Sequence, residues 1–219
     1  MAGAGLAWRP WQTRLQVLRK GGKGPPTLVL LHGYGSSEED LAGLAPYVVP
    51  GLPWVSLRAP LVLGSGSYAW FHIVTPGDPA PEPVAAATDA IWSWVDANLE
   101  PTTRVIAIGF SQGGLMASEL LRTRPERVAA TVVLGGFVQG AERPADELLA
   151  KTLPPVFWGR GSQDTVIAPI AVARTEAWLP SHSTLTQRVY PGLGHAISAE
   201  EARDVAMFVA TITADTLTS

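Results

Sequence analysis

The pentapeptide at residues 109–113, Gly-Phe-Ser-Gln-Gly, constrains this chain more than any other feature. An apolar run rich in β-branched residues (104–108) precedes it, and a stretch with helical periodicity (114–121) follows it. Gly-x-Ser-x-Gly between a strand and a helix is typical of a nucleophile elbow, a strained turn that holds a serine hydroxyl above the helix N-terminus. Glycines flank the serine because so tight a turn leaves little room for a Cβ atom. The motif therefore predicts a nucleophilic Ser111 at an edge of a sheet.

The rest of the chain alternates between short apolar runs and longer segments with helical periodicity. The predicted strands are residues 13–18, 27–31, 54–57, 104–110, 128–134, 155–158 and 185–190. The other predicted helices are residues 36–48, 84–99, 168–179 and 198–212. Capping boxes are predicted at the start of the first and last of these, from Ser36 with Glu39 and from Ser198 with Glu201. This alternation predicts an α/β fold, a single domain (residues 1–219) built on a mostly parallel, twisted sheet with helices on both faces.

A long segment at residues 61–83 is rich in Gly, Pro and Ser and fits no regular element. Long loops in compact domains are usually functional or mobile. This one contains Trp70 and Phe71, which a solvated loop would rarely hold. We expect the loop to lie over the active site, with Trp70 and Phe71 binding substrate. Residues 136–154 are too few for a large cap domain.

Composition and charge exclude several classes of function. The chain has 219 residues and a net charge of −3, so no basic surface for nucleic acid is predicted. It has no cysteine, which excludes disulfides, thiolate metal sites and a cysteine nucleophile. No apolar run approaches the length of a membrane span, and residues 1–24 lack the apolar core of a signal peptide. We expect a cytoplasmic protein without membrane insertion, and the sequence allows a homodimer without assigning its interface.

A serine hydroxyl needs a base to act as a nucleophile near neutral pH. Two of the four histidines, His32 and His72, precede Ser111 in the chain. His182 is expected in a solvated turn before a strand, whereas His195 follows the last predicted strand. Residues at the carboxyl ends of parallel strands lie at the functional edge of such a sheet. His195 is therefore the predicted base.

Asp164 is the predicted acid, because it is the only carboxylate between the strand at 155–158 and the next helix. A turn or N-cap aspartate is the structural alternative at such a place. The chain order Ser111, Asp164, His195 agrees with the triad order that accompanies a nucleophile elbow. Ser111 would then attack an acyl carbon, His195 would carry the proton, and Asp164 would orient the imidazole.

Negative charge that develops on the acyl oxygen needs preorganised hydrogen-bond donors. One predicted donor is the backbone N–H of Gln112, which follows the nucleophile. The other is expected from the Gly-rich loop at residues 32–35, where the backbone N–H of Tyr34 is the candidate. His32 is then expected to be structural and hydrogen-bonded locally. This chemistry requires neither a metal ion nor an organic cofactor.

Together these motifs resemble the phospholipase/carboxylesterase family of α/β-hydrolases, which includes acyl-protein thioesterases and small bacterial carboxylesterases. The resemblance rests on residues 30–35 (Leu-Leu-His-Gly-Tyr-Gly), 58–60 (Arg-Ala-Pro), 70–71 (Trp-Phe), 109–114 (Gly-Phe-Ser-Gln-Gly-Gly), 134–137 (Leu-Gly-Gly-Phe), 164 (Asp) and 194–195 (Gly-His). It implies an α/β-hydrolase fold without a large cap, which acts on carboxylic esters and sometimes on thioesters or lysolipids.

We predict a serine carboxylesterase that hydrolyses short-to-medium acyl esters through an acyl-enzyme. A lysophospholipase or acyl-(protein) thioesterase with the same triad is the alternative, which a long apolar groove would favour. A non-catalytic binding protein of the same fold is disfavoured, because such proteins usually lose a triad member and all three candidates are present here.

Overall fold

The computed structural model describes residues 15, 17–20, 26–48 and 50–217. Most of residues 1–24, on which the expected absence of a signal peptide rests, lie outside the described residues, as does half of the predicted strand at residues 13–18. The strands are β1 (Val17–Lys20), β2 (Thr27–Leu31), β3 (Trp54–Leu57), β4 (Leu61–Gly64), β5 (Ser67–Ala69), β6 (Val105–Phe110), β7 (Val128–Leu134), β8 (Pro155–Gly161) and β9 (Thr184–Tyr190). The α-helices are α1 (Glu39–Ala42), α2 (Ala45–Val48), α3 (Pro81–Asn98), α4 (Gln112–Thr123), α5 (Asp146–Thr152), α6 (Pro169–His182) and α7 (Ala199–Leu217).

In the described part of the chain, seven strands form one sheet in the order β1-β3-β2-β6-β7-β8-β9. Neighbours are parallel except for β1, which pairs antiparallel with β3 at one edge. The carboxyl ends of β2, β6, β7, β8 and β9 therefore meet at one edge of the sheet, as predicted. Between β7 and β8 the chain forms only the seven-residue helix α5 and connecting loops, with no cap domain.

Two apolar layers cover the sheet because buried strand residues alternate in direction. Val29 and Leu31 of β2 belong to the cluster that contains the buried faces of α3, α4 and α6. Leu28 and Leu30 of the same strand belong to the cluster that contains α1, α2 and α7. The structure thus confirms a mostly parallel sheet with helices on both faces.

The predicted helix at residues 36–48 is wrong, because the segment forms two short helices, α1 and α2. The backbone of Ser36 is extended and pairs with Tyr68, whose N–H donates to the Ser36 carbonyl at 2.9 Å. Ser36 therefore cannot cap a helix, and the N–H of Glu39 donates instead to Ser37 Oγ at 3.3 Å. The predicted loop at 61–83 is also partly wrong, because it contains the β4–β5 hairpin and the start of α3.

Two further elements depart from the sequence interpretation. The acidic residues Glu142, Asp146 and Glu147 precede β8 and suggest a polar surface segment, but Asp146 begins α5 and pairs with the buried Arg122 at 2.7 Å. His182 ends α6 instead of lying in a solvated turn, and its ring stacks on Trp178 with the ring centroids 4.1 Å apart.

In the second predicted capping box, at residues 198–201, only one of the two expected hydrogen bonds forms, and the Glu201 carboxyl is buried instead. Ser198 Oγ accepts a hydrogen bond from the Glu201 N–H at 3.0 Å. The Glu201 carboxyl does not return to Ser198; the residue is 1% exposed, and neither carboxyl oxygen has a partner among the described residues. It packs against β8, where a Cβ atom added at Gly159 would overlap Oε1. Burial raises the pKa of Glu201 to about 7.

Replacing Glu201 with glutamine should alter how stability depends on pH. The native state binds more protons than the unfolded chain between the ordinary pKa of 4.5 and the native value of about 7. The free energy of unfolding therefore falls as pH rises through this window, by a Glu201 contribution on the order of 3 kcal/mol. Glu201→Gln removes that contribution, so the stability difference between the variant and wild type should shift in the variant's favour from pH 5 to pH 8.

Urea denaturation at the two pH values measures the effect. Glu200→Gln is the matched control, because Glu200 is exposed on the same helical turn. Wild type and Glu201→Gln should show different pH profiles, whereas Glu200→Gln should follow wild type. Identical profiles for all three proteins would show that Glu201 is ionised in the folded state throughout the range.

Candidate active site

Ser111 lies on a strained turn between β6 and α4. Its backbone angles are φ 55° and ψ −118°, which is unusual for a residue with a side chain. A Cβ atom at Gly109 would overlap the Gly113 carbonyl, and one at Gly113 would overlap the Leu31 carbonyl. The elbow thus folds only because glycine occupies both positions, and the turn presents the Ser111 hydroxyl at the carboxyl edge of the sheet.

The structure brings Ser111, His195 and Asp164 together in one chain of hydrogen bonds. Asp164 follows β8 and His195 follows β9. His195 Nδ1 lies 2.7 Å from Asp164 Oδ2, and His195 Nε2 lies 2.9 Å from Ser111 Oγ. A carboxylate can only accept here, so Nδ1 donates the proton and Nε2 is left to accept from the serine hydroxyl.

The surroundings hold the two partner side chains in place. Asp164 Oδ1 accepts hydrogen bonds from the backbone N–H groups of Val166 (2.9 Å) and Ile167 (3.2 Å). The Asp164 side chain is only 5% exposed. The His195 ring packs on Phe110, with the ring centroids 4.8 Å apart. These contacts leave the imidazole aligned between acid and hydroxyl.

Two backbone segments lie beside the serine, the start of α4 and the loop at residues 32–35. Gln112 is the first residue of α4, where amides have no intrahelical acceptor. The loop that contains Tyr34 passes beside the elbow, since a Cβ atom at Gly33 would lie 3.3 Å from the Ser111 Cβ. The Tyr34 N–H donates to no group in the part of the chain that the structure describes. The Tyr34 ring is partly exposed at the rim.

The Gln112 side chain has a second role that sequence reasoning missed. It is buried, its Oε1 accepts from the Trp70 N–H at 2.9 Å, and its Nε2 donates to the Phe71 carbonyl at 2.8 Å. The elbow is thereby fastened to the segment that follows β5. These partners lie more than 40 residues away along the chain, so no local sequence pattern signals them.

Trp70 and Phe71 have different surroundings. Phe71 lines an apolar cavity beside Ser111, as expected of a substrate-binding residue. Trp70 is 2% exposed and does not line that cavity. Its indole N–H donates to the His32 carbonyl at 2.9 Å. Trp70 therefore packs behind the residues that line the cavity and stabilises their position. The residue thus does not line the cavity, contrary to the prediction that it binds substrate.

His32 is structural, as predicted. Its Nδ1 donates to the Gly33 carbonyl at 2.7 Å, and its Nε2 accepts from the Ala59 N–H at 3.0 Å. Burial lowers the pKa of the imidazole, so the ring is neutral at pH 7. It fixes the loop that carries Tyr34.

Replacing Trp70 with phenylalanine should weaken the fold without changing acyl preference. The variant leaves the buried His32 carbonyl without its donor, which costs about 1–3 kcal/mol. We expect kcat/KM to fall by a similar factor for acetate and octanoate esters. Urea denaturation and the two kcat/KM values measure these effects, and a change confined to one ester would place Trp70 in the substrate pocket after all.

The cavity beside Ser111 is small and apolar. Its walls include Phe71, Ile73, Gln112, Phe137 and Ile167, and its volume is about 70 Å³. Ligand pockets for drug-sized molecules are usually about 300–1,000 Å³. Within the described residues, no three His, Asp or Glu side chains are grouped so that they could hold a metal ion. No helix in that part of the chain is long and apolar enough to cross a membrane.

A parallel sheet with a serine on a strained elbow, next to a histidine and an aspartate, defines the α/β-hydrolase class. Residues 12–213 match the sequence model of the phospholipase/carboxylesterase family, and the chain belongs to that family. This confirms the resemblance found in the sequence. Members of the family hydrolyse esters or thioesters, and this chain is accordingly an ester hydrolase.

Individual relatives agree with this assignment. An acyl-protein thioesterase 1 from Mycosarcoma maydis is 26% identical over 225 residues, which cover 87% of this chain and 92% of that protein. A pimeloyl-[acyl-carrier protein] methyl ester esterase from Aromatoleum aromaticum is 36% identical over 111 residues, which are 50% of this chain and 37% of that protein. The crystal structure of a Bacillus cereus carboxylesterase shares the fold with a TM-score of 0.78 at 22% identity, covering 92% of this chain and 96% of that one.

Proposed function

We propose that the chain is a single-domain serine carboxylesterase that hydrolyses short-to-medium acyl esters of small molecules through an acyl-enzyme. The observation that carries the proposal is the hydrogen-bond chain from Asp164 through His195 to Ser111, at 2.7 and 2.9 Å. These distances are within reach for proton transfer from a nucleophile to its base.

The reaction proceeds in two halves. Ser111 Oγ attacks the acyl carbon while His195 Nε2 takes the hydroxyl proton, and Asp164 stabilises the resulting imidazolium. The leaving oxygen departs with the bonding electron pair and receives that proton. Water then repeats the sequence on the acyl-enzyme, which releases the acid and restores the serine.

The backbone N–H groups of Tyr34 and Gln112 donate to the acyl oxygen as it becomes negatively charged. Donors of this kind act because they are fixed before the charge develops. The hydrogen bonds that Gln112 makes to the Trp70–Phe71 segment keep its backbone in place. The dipole of α4, whose first residue is Gln112, adds to the favourable potential.

The small volume of the Ser111 cavity supports short acyl groups. About 70 Å³ accommodates a short chain, whereas a long acyl chain would need the cavity walls to open. An acyl-protein thioesterase activity is the second candidate, because several full-length relatives bear that name. That activity would use the same triad but would require a larger space beside Ser111 for a longer acyl chain.

Hydrolysis of p-nitrophenyl esters from acetate to palmitate tests the proposal, with Ser111→Ala as the blank. A maximum at acetate to hexanoate that vanishes in the variant supports the short-ester enzyme. A maximum at long chains, accompanied by turnover of palmitoyl thioesters, would replace it with the thioesterase. Equal inertness of wild type and variant toward every ester would refute both.

A further inference from the structure

A second, much larger opening lies on the other side of the triad. It is an open groove between the α1–α2 segment and the start of α7, with a volume of about 570 Å³. Its lining is mostly apolar and includes Leu41, Gly43, Leu44, Tyr47, Ile197 and Ala202. We call this opening the α1–α7 groove.

The two openings contact different members of the triad. Ser111 and Gln112 line the small cavity, whereas His195 and Phe110 line the α1–α7 groove. The acyl carbon bonds to Ser111 Oγ, so the acyl chain extends from the serine. The leaving oxygen must be protonated by His195 Nε2, so the leaving group lies on the histidine side.

We infer that the α1–α7 groove binds the leaving-group moiety of the ester, an apolar and uncharged alcohol larger than the acyl group. The inference rests on the proposed function. When the tetrahedral intermediate collapses, the bond from carbon to the leaving oxygen breaks, and its electron pair stays on that oxygen. The oxygen takes the Nε2 proton, and the neutral alcohol leaves through the groove.

The charge of the lining defines the class of alcohol. Among the described residues that line the groove, Asp40 is the only carboxylate, and none is a lysine or an arginine. Leaving groups that carry phosphate, sulfate or carboxylate would meet a carboxylate and no cation. The groove therefore discriminates against phosphate-bearing lysolipids and favours neutral alcohols.

Gly43 offers a way to fill the groove without strain. Its backbone is helical (φ −65°, ψ −25°), and beyond its immediate neighbours no atom of the described residues lies within 4 Å of a Cβ added there. Gly43→Trp should place an indole ring in the space for the alcohol. Ala97→Trp is the matched control, because Ala97 is exposed on α3 and lines neither opening.

The experiment measures kcat/KM for two series of esters. Methyl, butyl and 2-naphthyl acetate share one acyl group and differ in the alcohol. Methyl butanoate and methyl octanoate share one alcohol and differ in the acyl group. In Gly43→Trp the ratio of 2-naphthyl to methyl acetate should fall at least tenfold, while the ratio of the two methyl esters should stay within twofold of wild type. Ala97→Trp should keep both ratios. Asp40→Asn should reduce the discrimination between phenyl acetate and 4-acetoxybenzoate.

The opposite pattern overturns the inference. If Gly43→Trp selectively slows methyl octanoate, the groove holds the acyl chain. If neither ratio changes, the groove holds neither part of the ester. Turnover by Ser111→Ala in the same assays would instead refute the proposed serine esterase mechanism. The experiment thus distinguishes a wrong assignment of the groove from a wrong assignment of the function.

Discussion

Ser111→Ala is expected to lower kcat for p-nitrophenyl acetate by about 10⁶-fold, the loss typical of a serine nucleophile within an otherwise intact triad. The substitution removes only Oγ, which lies 2.9 Å from His195 Nε2 and makes the bond to the acyl carbon in the proposed mechanism. The backbone donors and the cavity remain, so the residual rate measures what they contribute without covalent catalysis.

Ser118→Ala is the matched control, since it makes the same chemical change within α4, about two helical turns beyond Ser111. Ser118 is buried, and its hydroxyl donates to the Leu115 carbonyl at 2.7 Å, away from the triad. It should cost some stability and keep the esterase activity. Steady-state kinetics with titrated active sites measures both variants, and substantial turnover by Ser111→Ala would exclude this serine as the nucleophile.

Asp164→Asn is expected to lower kcat by about 10⁴-fold, as for the equivalent change in a serine protease. The asparagine side chain can present an N–H to His195 Nδ1, which moves the ring proton to Nε2. Nε2 then cannot accept the proton of Ser111. Asparagine Oδ1 can still accept the two backbone N–H groups that hold the turn, so the loop geometry should persist.

Asp89→Asn provides the comparison for this prediction, because Asp89 is exposed on α3. It should behave as wild type in kinetics and in thermal unfolding. If Asp164→Asn loses less than tenfold in kcat while folded, the imidazole must be oriented by another group, and the proposed role of Asp164 would be wrong.

Much of the fold was predictable because buried strands leave a strong signal. Residues 27–31, 54–57 and 128–134 form strands with the predicted bounds, since each is a mostly apolar run buried in a mostly parallel sheet. The partners of the elbow serine were equally predictable. His195 and Asp164 follow neighbouring strands, and the sheet topology alone brings their side chains to one edge.

The failures share a physical cause, which is long-range pairing. Ser36 begins no helix because Tyr68, far along the chain, pairs with its backbone. Trp70 is a core residue because Gln112 and His32 hold it, and neither contact has a sequence period. Glu201 follows the pattern of a surface capping residue, yet packing against β8 buries its carboxyl. Local propensity cannot show any of these contacts.

The order of strands across the sheet also constrains how activity returns during refolding. Ser111 and His195 are 84 residues apart in sequence, and β7 and β8 lie between the strands that carry them. Contacts between residues so distant in sequence form slowly, because long loops must close first. Recovery of esterase activity after dilution from denaturant therefore reports the docking of β9, the far edge strand, whereas helical circular dichroism can recover earlier.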